Sequence, residues 1–320
     1  MHALCFEKFG GPEVLAWREL PDPVAQPGHV IVRMQAVGLN FADVYRRRGN
    51  YHLAGPPPYI AGYEGAGVIA SAPAGAPFPA GSRVGFADSP FANAELVSVP
   101  FEKLIPLPGE ISTETAAAVL LQGLTAHYLT RDSHPLQPGE TAVVHAAAGG
   151  VGLLLVQVAR LLGARVIALV SSEAKRDAAR DAGADLVFLS SEDWPQLVRD
   201  ATAGRGADVV YDSVGSTLPA SLAAARTGGR VVFYGMSGGD PAPVDPRLLM
   251  DRSLTLTGGD LWNVLTSAEQ RRLRAAELFG WISSGRVEVR LARKFPLRDG
   301  AAAHAFLESR AAIGKVLLLP

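Results

Sequence analysis

From Thr141 to Gly259 the chain repeats one pattern: a short apolar run, a longer stretch with helical spacing, and a glycine to close it. The apolar runs are "TAVVHA", "ARVIALV", "DLVFL", "ADVVYDSVG", "RVVFYG" and "LTLTGG". Between them, "GGVGLLLVQVARLLG", "EAKRDAARDAG" and "DWPQLVRDATAG" read as helices, with Gly163, Gly183 and Gly204 placed to form left-handed C-caps. Strands that are apolar throughout must be covered on both faces, which a parallel sheet flanked by helices achieves. The expected fold class is α/β, with a doubly wound parallel-sheet domain of the Rossmann type over residues 121–260.

The rest of the sequence has another texture. Residues 1–120 are rich in Pro and Gly and carry alternating stretches such as "HVIVRMQAVG" and "AGVIASA", the pattern of a mainly antiparallel β domain. "APAGAPFPAG", Ala72–Gly81, reads as a surface loop. The Ala/Leu-rich "STETAAAVLLQGLTAHYL" reads as a helix whose opening Ser and Thr residues can cap it. Residues 261–320 hold a helix, "SAEQRRLRAAELFGWISSG", then "KFPLRDGAAAHAFLESR" and a strand, "GKVLLLP". Too short for a domain of its own, this tail is expected to pack back onto residues 1–120.

Bulk properties narrow the function classes. A chain of 320 residues has room for two cores. Its formal net charge of −1 gives no electrostatic reason to expect nucleic acid or an acidic membrane as partner. Cys5 is the only cysteine, which rules out an intrachain disulfide and any multi-cysteine zinc cluster. "MHALCFEKFG" lacks the regions of a signal peptide, and no apolar stretch is long enough to span a bilayer, so the expected location is cytoplasmic.

One turn carries chemistry. "HAAAGGVG" puts Ala147, Gly149 and Gly152 on GxGxxG spacing, with alanine at the first glycine position, between an apolar strand and an apolar helix. Gly149 permits close backbone approach to a pyrophosphate, and Gly152 permits helix–strand packing. The helix start at Gly150 and Val151 offers N–H groups to the anion. A site that prefers NAD usually has Asp or Glu where the second strand ends. Here Val170 is followed by Ser171, Ser172 and then Lys175. Two hydroxyls and a cation favour NADPH, with Lys175 on the 2′-phosphate. Glu173 competes, since it could bond an adenosine ribose, and Arg176 reads as an exposed helix face.

Seven segments carry a family likeness: "FGGPEVL", "VGLNFADVYRRRGNY", "GYEGAGVI", "LLQGLTAHYL", "HAAAGGVG", "DVVYDSVG" and "ESRAAIGKVLLLP". Together they resemble the medium-chain dehydrogenase/reductase superfamily and, within it, the zinc-free quinone oxidoreductase group that includes zeta-crystallin. The resemblance covers essentially the whole chain and implies a GroES-like first domain. Asn40 stands where the zinc-dependent branch has a metal-ligating Cys, and Tyr63 where it has a His before the Glu. Neither is a credible zinc ligand, so no metal is expected. Of the histidines, His145, His127 and His304 read as core residues. Without a Lewis acid, alcohol oxidation is difficult, whereas reduction of an electron-poor acceptor by NADPH is not.

The resemblance also implies site residues. It sets Asn40 and Tyr51 beside the nicotinamide. Asn40 has an amide to donate to an oxygen gaining charge. Tyr51 either donates or delivers a proton, or is a loop aromatic packed over the cleft. Thr125 and Tyr128 would face the nicotinamide half, and Val214 follows a sheet strand at its ligand-binding end. Arg310 matches an arginine that reaches the cofactor phosphates, or else stabilises a helix terminus. Ser190 aligns where the family often has a Tyr near the 2′-phosphate, keeping the hydroxyl and losing the stacking surface. Asp43 is expected to pair with an arginine or cap a short helix. At least two of Arg46, Arg47 and Arg48 are expected on a solvated helix face.

The expected activity is NADPH-dependent, metal-free reduction of small-molecule quinones. Tyr51 motivates an alternative, reduction of enoyl or alkenal acceptors. The zeta-crystallin likeness raises a third, an NADPH-binding structural or RNA-binding role, against which the near-neutral charge argues. "SLTLTGG" is an apolar edge that needs cover, and the resemblance implies a homodimer formed there.

Overall fold

The computed structural model describes residues 1–320. The chain forms two compact units. One comprises Met1–Leu124, Leu265–Gly285 and Val289–Pro320; the other comprises Thr125–Val264 with Arg286–Glu288.

The second unit is a six-stranded parallel sheet. From one edge its strands run Leu186–Leu189, Arg165–Val170, Thr141–Val144, Ala207–Asp212, Ala225–Phe233 and Thr255–Gly258. The chain winds outward from Thr141–Val144 in one direction, then returns to Ala207–Asp212 and winds outward in the other. Both central strands are buried at every residue, which explains their continuous apolar sequence. Val143, Ile167, Leu169, Val210 and Val231 pack with Trp194, Val198, Leu218 and Leu222 from the helices. Each such aliphatic side chain contributes about 1.5–3 kcal/mol on burial. Gly163, Gly183 and Gly204 all take positive φ at helix ends, as C-cap glycines do. The stretch "EAKRDAARDAG" is not one helix. Lys175 N–H donates to Ser172 O, closing a tight 3₁₀ turn over Glu173–Lys175 before the α-helix Arg176–Asp181 begins.

The first unit is mainly antiparallel. In its larger sheet the order is Leu291–Pro296, Lys315–Leu319, His29–Leu39, Gly65–Ser71, Arg83–Phe86 and Ile105–Pro106, and Leu96–Pro100 also pairs with His29–Leu39. The strand Lys315–Leu319 therefore lies inside the sheet, with Val316 opposite Leu39 and Leu318 opposite Val37. Val32, Met34, Val84, Phe86, Val97, Val316 and Leu318 share the core. Ser112 Oγ accepts from Thr115 N–H at 3.0 Å, capping the helix Thr113–Tyr128. Residues 72–81 form a loop between two strands, and no helix is long and apolar enough to cross a membrane.

Candidate active site

The carboxyl ends of Thr141–Val144 and Ala207–Asp212 mark the point where the sheet's winding reverses, the place where open α/β sheets bind ligands. The turn after Thr141–Val144 leads into the helix Gly150–Leu161, whose N-cap, Gly149, is extended and makes no side-chain capping bond. The first-turn N–H groups of Gly150, Val151 and Gly152 thus open toward the crevice without a side chain folded over them. A Cβ on Gly152 would stand 2.2 Å from Ala146 O, so only glycine lets the helix sit against its own turn.

Four predicted residues gather at the neighbouring strand ends. Ser171 and Ser172 directly follow Arg165–Val170 and are exposed. Lys175 Nζ lies 3.1 Å from Ser171 Oγ, and Ser190 N–H donates to Val170 O at 2.9 Å. Glu173, the competing carboxylate, is bridged by Arg176 Nε at 2.7 Å. Arg176 itself is no exposed helix face: its side chain is 16% exposed, bonds Val187 O and reaches Glu192, because the strand Leu186–Leu189 offers it an acceptor. Val214 N–H donates to Asp212 Oδ1 at 2.8 Å. Tyr128 is buried, with its hydroxyl close to where a Cβ on Gly259 would stand; Thr125 is buried one turn earlier on the same helix.

In the first unit a second polar cluster forms around Asn40. Its amide Nδ2 donates to Gly38 O at 3.2 Å and to Glu64 Oε2 at 2.8 Å. Its Oδ1 accepts from Gln122 Nε2 at 3.1 Å and from Lys315 Nζ at 2.9 Å. Both donors and both acceptors of the amide are therefore engaged. Lys315 Nζ also pairs with Glu64 Oε2 at 2.6 Å, while Glu64 Oε1 accepts from Leu121 N–H at 2.6 Å. Lys315 and Glu64 are 2% and 0% exposed. Burial pulls Lys315 below the usual lysine range, against the pull of Glu64. Sequence reasoning passed over this lysine. The available signal was a single cation in the otherwise apolar "GKVLLLP".

The helix Phe41–Arg47 starts where Asp43 Oδ2 accepts the Asn40 N–H at 2.9 Å. Asp43 also pairs with Arg46 at 3.1 Å, so it both caps and pairs. Burial raises its carboxyl, and Arg46 opposes that. Arg46 and Arg47 depart from the expected solvated face, being 2% and 1% exposed. Two aromatic rings shelter Arg46: its guanidinium lies 3.5 Å from the Tyr63 ring centre and 5.0 Å from that of Tyr51. Its Nε donates to His52 O at 2.9 Å. Arg47 is covered by the helix Gly300–Glu308, bonding His304 Nδ1 at 3.0 Å and Glu308 Oε1 at 2.5 Å. Burial, reinforced by Arg47, drops His304 to about 3. Only Arg48 is exposed.

Tyr51 is half-buried beside Tyr45 and His52. Arg310 follows the helix Gly300–Glu308, exposed, with φ of 59° at the left-handed position past its end. Among these donors none is set up as a zinc ligand. Asn40 is saturated, Glu64 is held by Lys315, and the Tyr63 hydroxyl accepts from Ala54 N–H while burial pushes its phenol up. No three His, Cys, Asp or Glu side chains converge elsewhere.

A doubly wound nucleotide domain and a mainly antiparallel one in a single chain define the class of medium-chain dehydrogenases and reductases. Residues 26–109 match the family described as "Alcohol dehydrogenase GroES-like domain", and residues 150–276 match "Zinc-binding dehydrogenase". The chain is 37% identical to the 2-haloacrylate reductase of a Burkholderia species, over 99% of this chain and 98% of that one. It is 39% identical to a quinone oxidoreductase of Pseudomonas aeruginosa, over 98% of each. The crystal structure of Escherichia coli quinone oxidoreductase complexed with NADPH superposes with a TM-score of 0.97, at 37% identity and 100% coverage of both chains. The chain belongs to the quinone oxidoreductase group, zeta-crystallin-like, of the medium-chain dehydrogenase/reductase superfamily.

Proposed function

We propose that the chain is an NADPH-dependent reductase of quinones that works without a metal ion. The reading is carried by the uncapped glycine turn at the switch point, with Ser171, Ser172, Lys175 and Ser190 collected at the adjoining strand ends. Of the two carboxylates near these strand ends, Glu173 is bridged to Arg176, and Glu192 accepts from Leu189 N–H and reaches the same arginine. The NADPH complex of the E. coli relative supports the same cofactor.

Bound NADPH supplies the hydride or electrons. The N–H groups of Gly150, Val151 and Gly152, with Gly149, bind its pyrophosphate. Lys175 neutralises the 2′-phosphate while the three serines bond it. Thr125, Tyr128 and Val214 complete the cofactor set within the nucleotide unit. Asn40 is locked by four hydrogen bonds and keeps no spare donor for an oxygen gaining charge. A quinone is electron-poor enough to accept reduction without a Lewis acid, and the donor set around Asn40 does not fit zinc. Purified protein should oxidise NADPH with a panel of ortho- and para-quinones and contain no stoichiometric zinc. No turnover with any quinone overturns the reading.

A second acceptor class is favoured by one observation. Tyr51 is half-buried in the same unit as Asn40, its ring centre 5.0 Å from the Arg46 guanidinium. An alkene conjugated to a carbonyl takes hydride at one carbon and needs a proton at the other, and Tyr51 suits that delivery. The Burkholderia relative's name points to such an acceptor. On this reading Tyr51→Phe abolishes reduction of 2-alkenals and spares that of quinones; equal effects on both sink it.

The proposed assembly is a homodimer through the edge strand Thr255–Gly258. Leu248 and Met250, on the preceding helix Pro246–Asp251, are exposed and call for cover. A cytoplasmic location suits an NADPH-consuming reductase whose lone thiol, Cys5, is buried.

A further inference from the structure

The two strands that flank the switch point end on buried polar residues, and a third residue joins them. His145 follows Thr141–Val144, and Asp212 ends Ala207–Asp212. Ser221, on the helix Leu218–Ala224, donates its hydroxyl to Asp212 Oδ2 at 2.6 Å and lies 3.0 Å from His145 Nε2. A hydroxyl has one hydrogen, and the carboxylate holds it, so His145 Nε2 carries an N–H and donates to Ser221. Burial holds the imidazole below its usual range, against the pull of Asp212, which favours the neutral Nε2–H tautomer; the ring packs edge-on against Trp194 at 4.9 Å. None of the three residues is more than 1% exposed.

The other oxygen of Asp212 shapes the chain that follows. Oδ1 accepts from Val214 N–H at 2.8 Å and Gly215 N–H at 3.1 Å, and Thr217 Oγ1 sits across both oxygens, 3.0 Å from Oδ1 and 2.9 Å from Oδ2. From the far side, Gly238 N–H donates to Val214 O at 2.8 Å. Gly215 has φ of 86°, and a Cβ there would meet Gly239 O at 2.2 Å, so the loop has one way to sit.

We infer that the His145–Ser221–Asp212 bridge fixes the width of the switch-point crevice, making Ser221 and Asp212 positioning residues for the nicotinamide half of the dinucleotide. His145 leads into the pyrophosphate turn, and Asp212 leads into Val214, on the opposite side of the crevice. The backbone ladder, with His145 N–H donating to Tyr211 O at 3.1 Å, sets the strand separation. The side-chain bridge adds directed hydrogen bonds that hold the two departing loops, which a ligand spanning the crevice needs at a set distance. The adenine half lies elsewhere, on Ser171, Ser172, Lys175 and Ser190 at the ends of the strands Arg165–Val170 and Leu186–Leu189. The inference rests on reading the turn as an NADPH site.

The experiment compares two ligands on three proteins. NADPH spans the crevice, whereas 2′,5′-ADP uses the adenine half alone. Fluorescence titration with NADPH, and displacement by 2′,5′-ADP, are measured for the wild type, Ser221→Ala and the near-isosteric Ser221→Cys. NADPH affinity is expected to fall at least tenfold in Ser221→Ala and by a smaller factor in Ser221→Cys, with 2′,5′-ADP changed less than twofold in both. Should Ser221→Ala fail to fold, the split is read from Ser221→Cys. Equal losses for the two ligands, or no loss for either, overturn the inference. A wild type that binds neither ligand overturns the nucleotide reading itself, and this inference with it.

Discussion

The crevice of the nucleotide unit and the Asn40 cluster of the first unit are both buried and polar, yet they are built on opposite principles. The crevice works through backbone: glycines that admit a close approach, N–H groups at a helix start, and a hydrogen-bonded bridge of His145, Ser221 and the Asp212 carboxylate between the strand ends. The Asn40 cluster works through side-chain charge, with Lys315 on Glu64, Arg46 on Asp43 and Arg47 on Glu308. A backbone site is tied to local conformation and so leaves a local motif. A charge cluster needs counter-charges, which can come from anywhere in the chain.

The sharpest way to break that contrast is to remove one charge. Lys315→Met leaves Glu64 buried without its cation and should destabilise the first unit by about 3–5 kcal/mol, measured by urea unfolding. Glu64→Gln combined with Lys315→Met should recover most of that loss. A Lys315→Met protein as stable as the wild type would mean that charge does not organise the cluster.

Acid provides the next test. His304 titrates at about 3 in the folded chain and near 6.5 when unfolded. Above pH 6.5 the two states hold the same proton count and His304 has no effect. As pH falls below that value the unfolded chain takes up a proton that the folded one refuses until about pH 3. Stability is therefore lost across this window, by about 3 kcal/mol between pH 7 and pH 4. His304→Gln should flatten that slope in a comparison of urea midpoints at the two pH values. A slope unchanged by the substitution would remove His304 from the account.

On the nucleotide side the expected effect is smaller and more selective. Lys175→Ala should raise the KM for NADPH about tenfold, worth about 1.4 kcal/mol, and leave that for NADH nearly unchanged. Equal shifts for both nucleotides would take Lys175 off the 2′-phosphate.

The same contrast governs what could be read in advance. The parallel sheet was legible because its strands are apolar throughout and its helices end on glycine, all within a few residues of one another. The turn around Gly149 was legible for the same reason. The burial of Arg46 and Arg47 was not, since three arginines in a row look like a solvated face until Tyr63, His304 and Glu308 are brought alongside. Lys315 was hidden further still, its partners lying 251 and 275 positions away. The split at Lys175 was missed because helical spacing does not distinguish a 3₁₀ turn from an α-helical one.

The placement of Lys315–Leu319 inside its sheet has a consequence for biosynthesis. A chain leaving the ribosome exposes Asn40 and Glu64 long before their shared ammonium has been made. The six parallel strands, all contained in Thr125–Val264, are by then fully translated. Nascent chains should thus acquire nucleotide affinity first, while the earlier-synthesised half waits, its sheet open at an interior seam, for its closing strand to emerge.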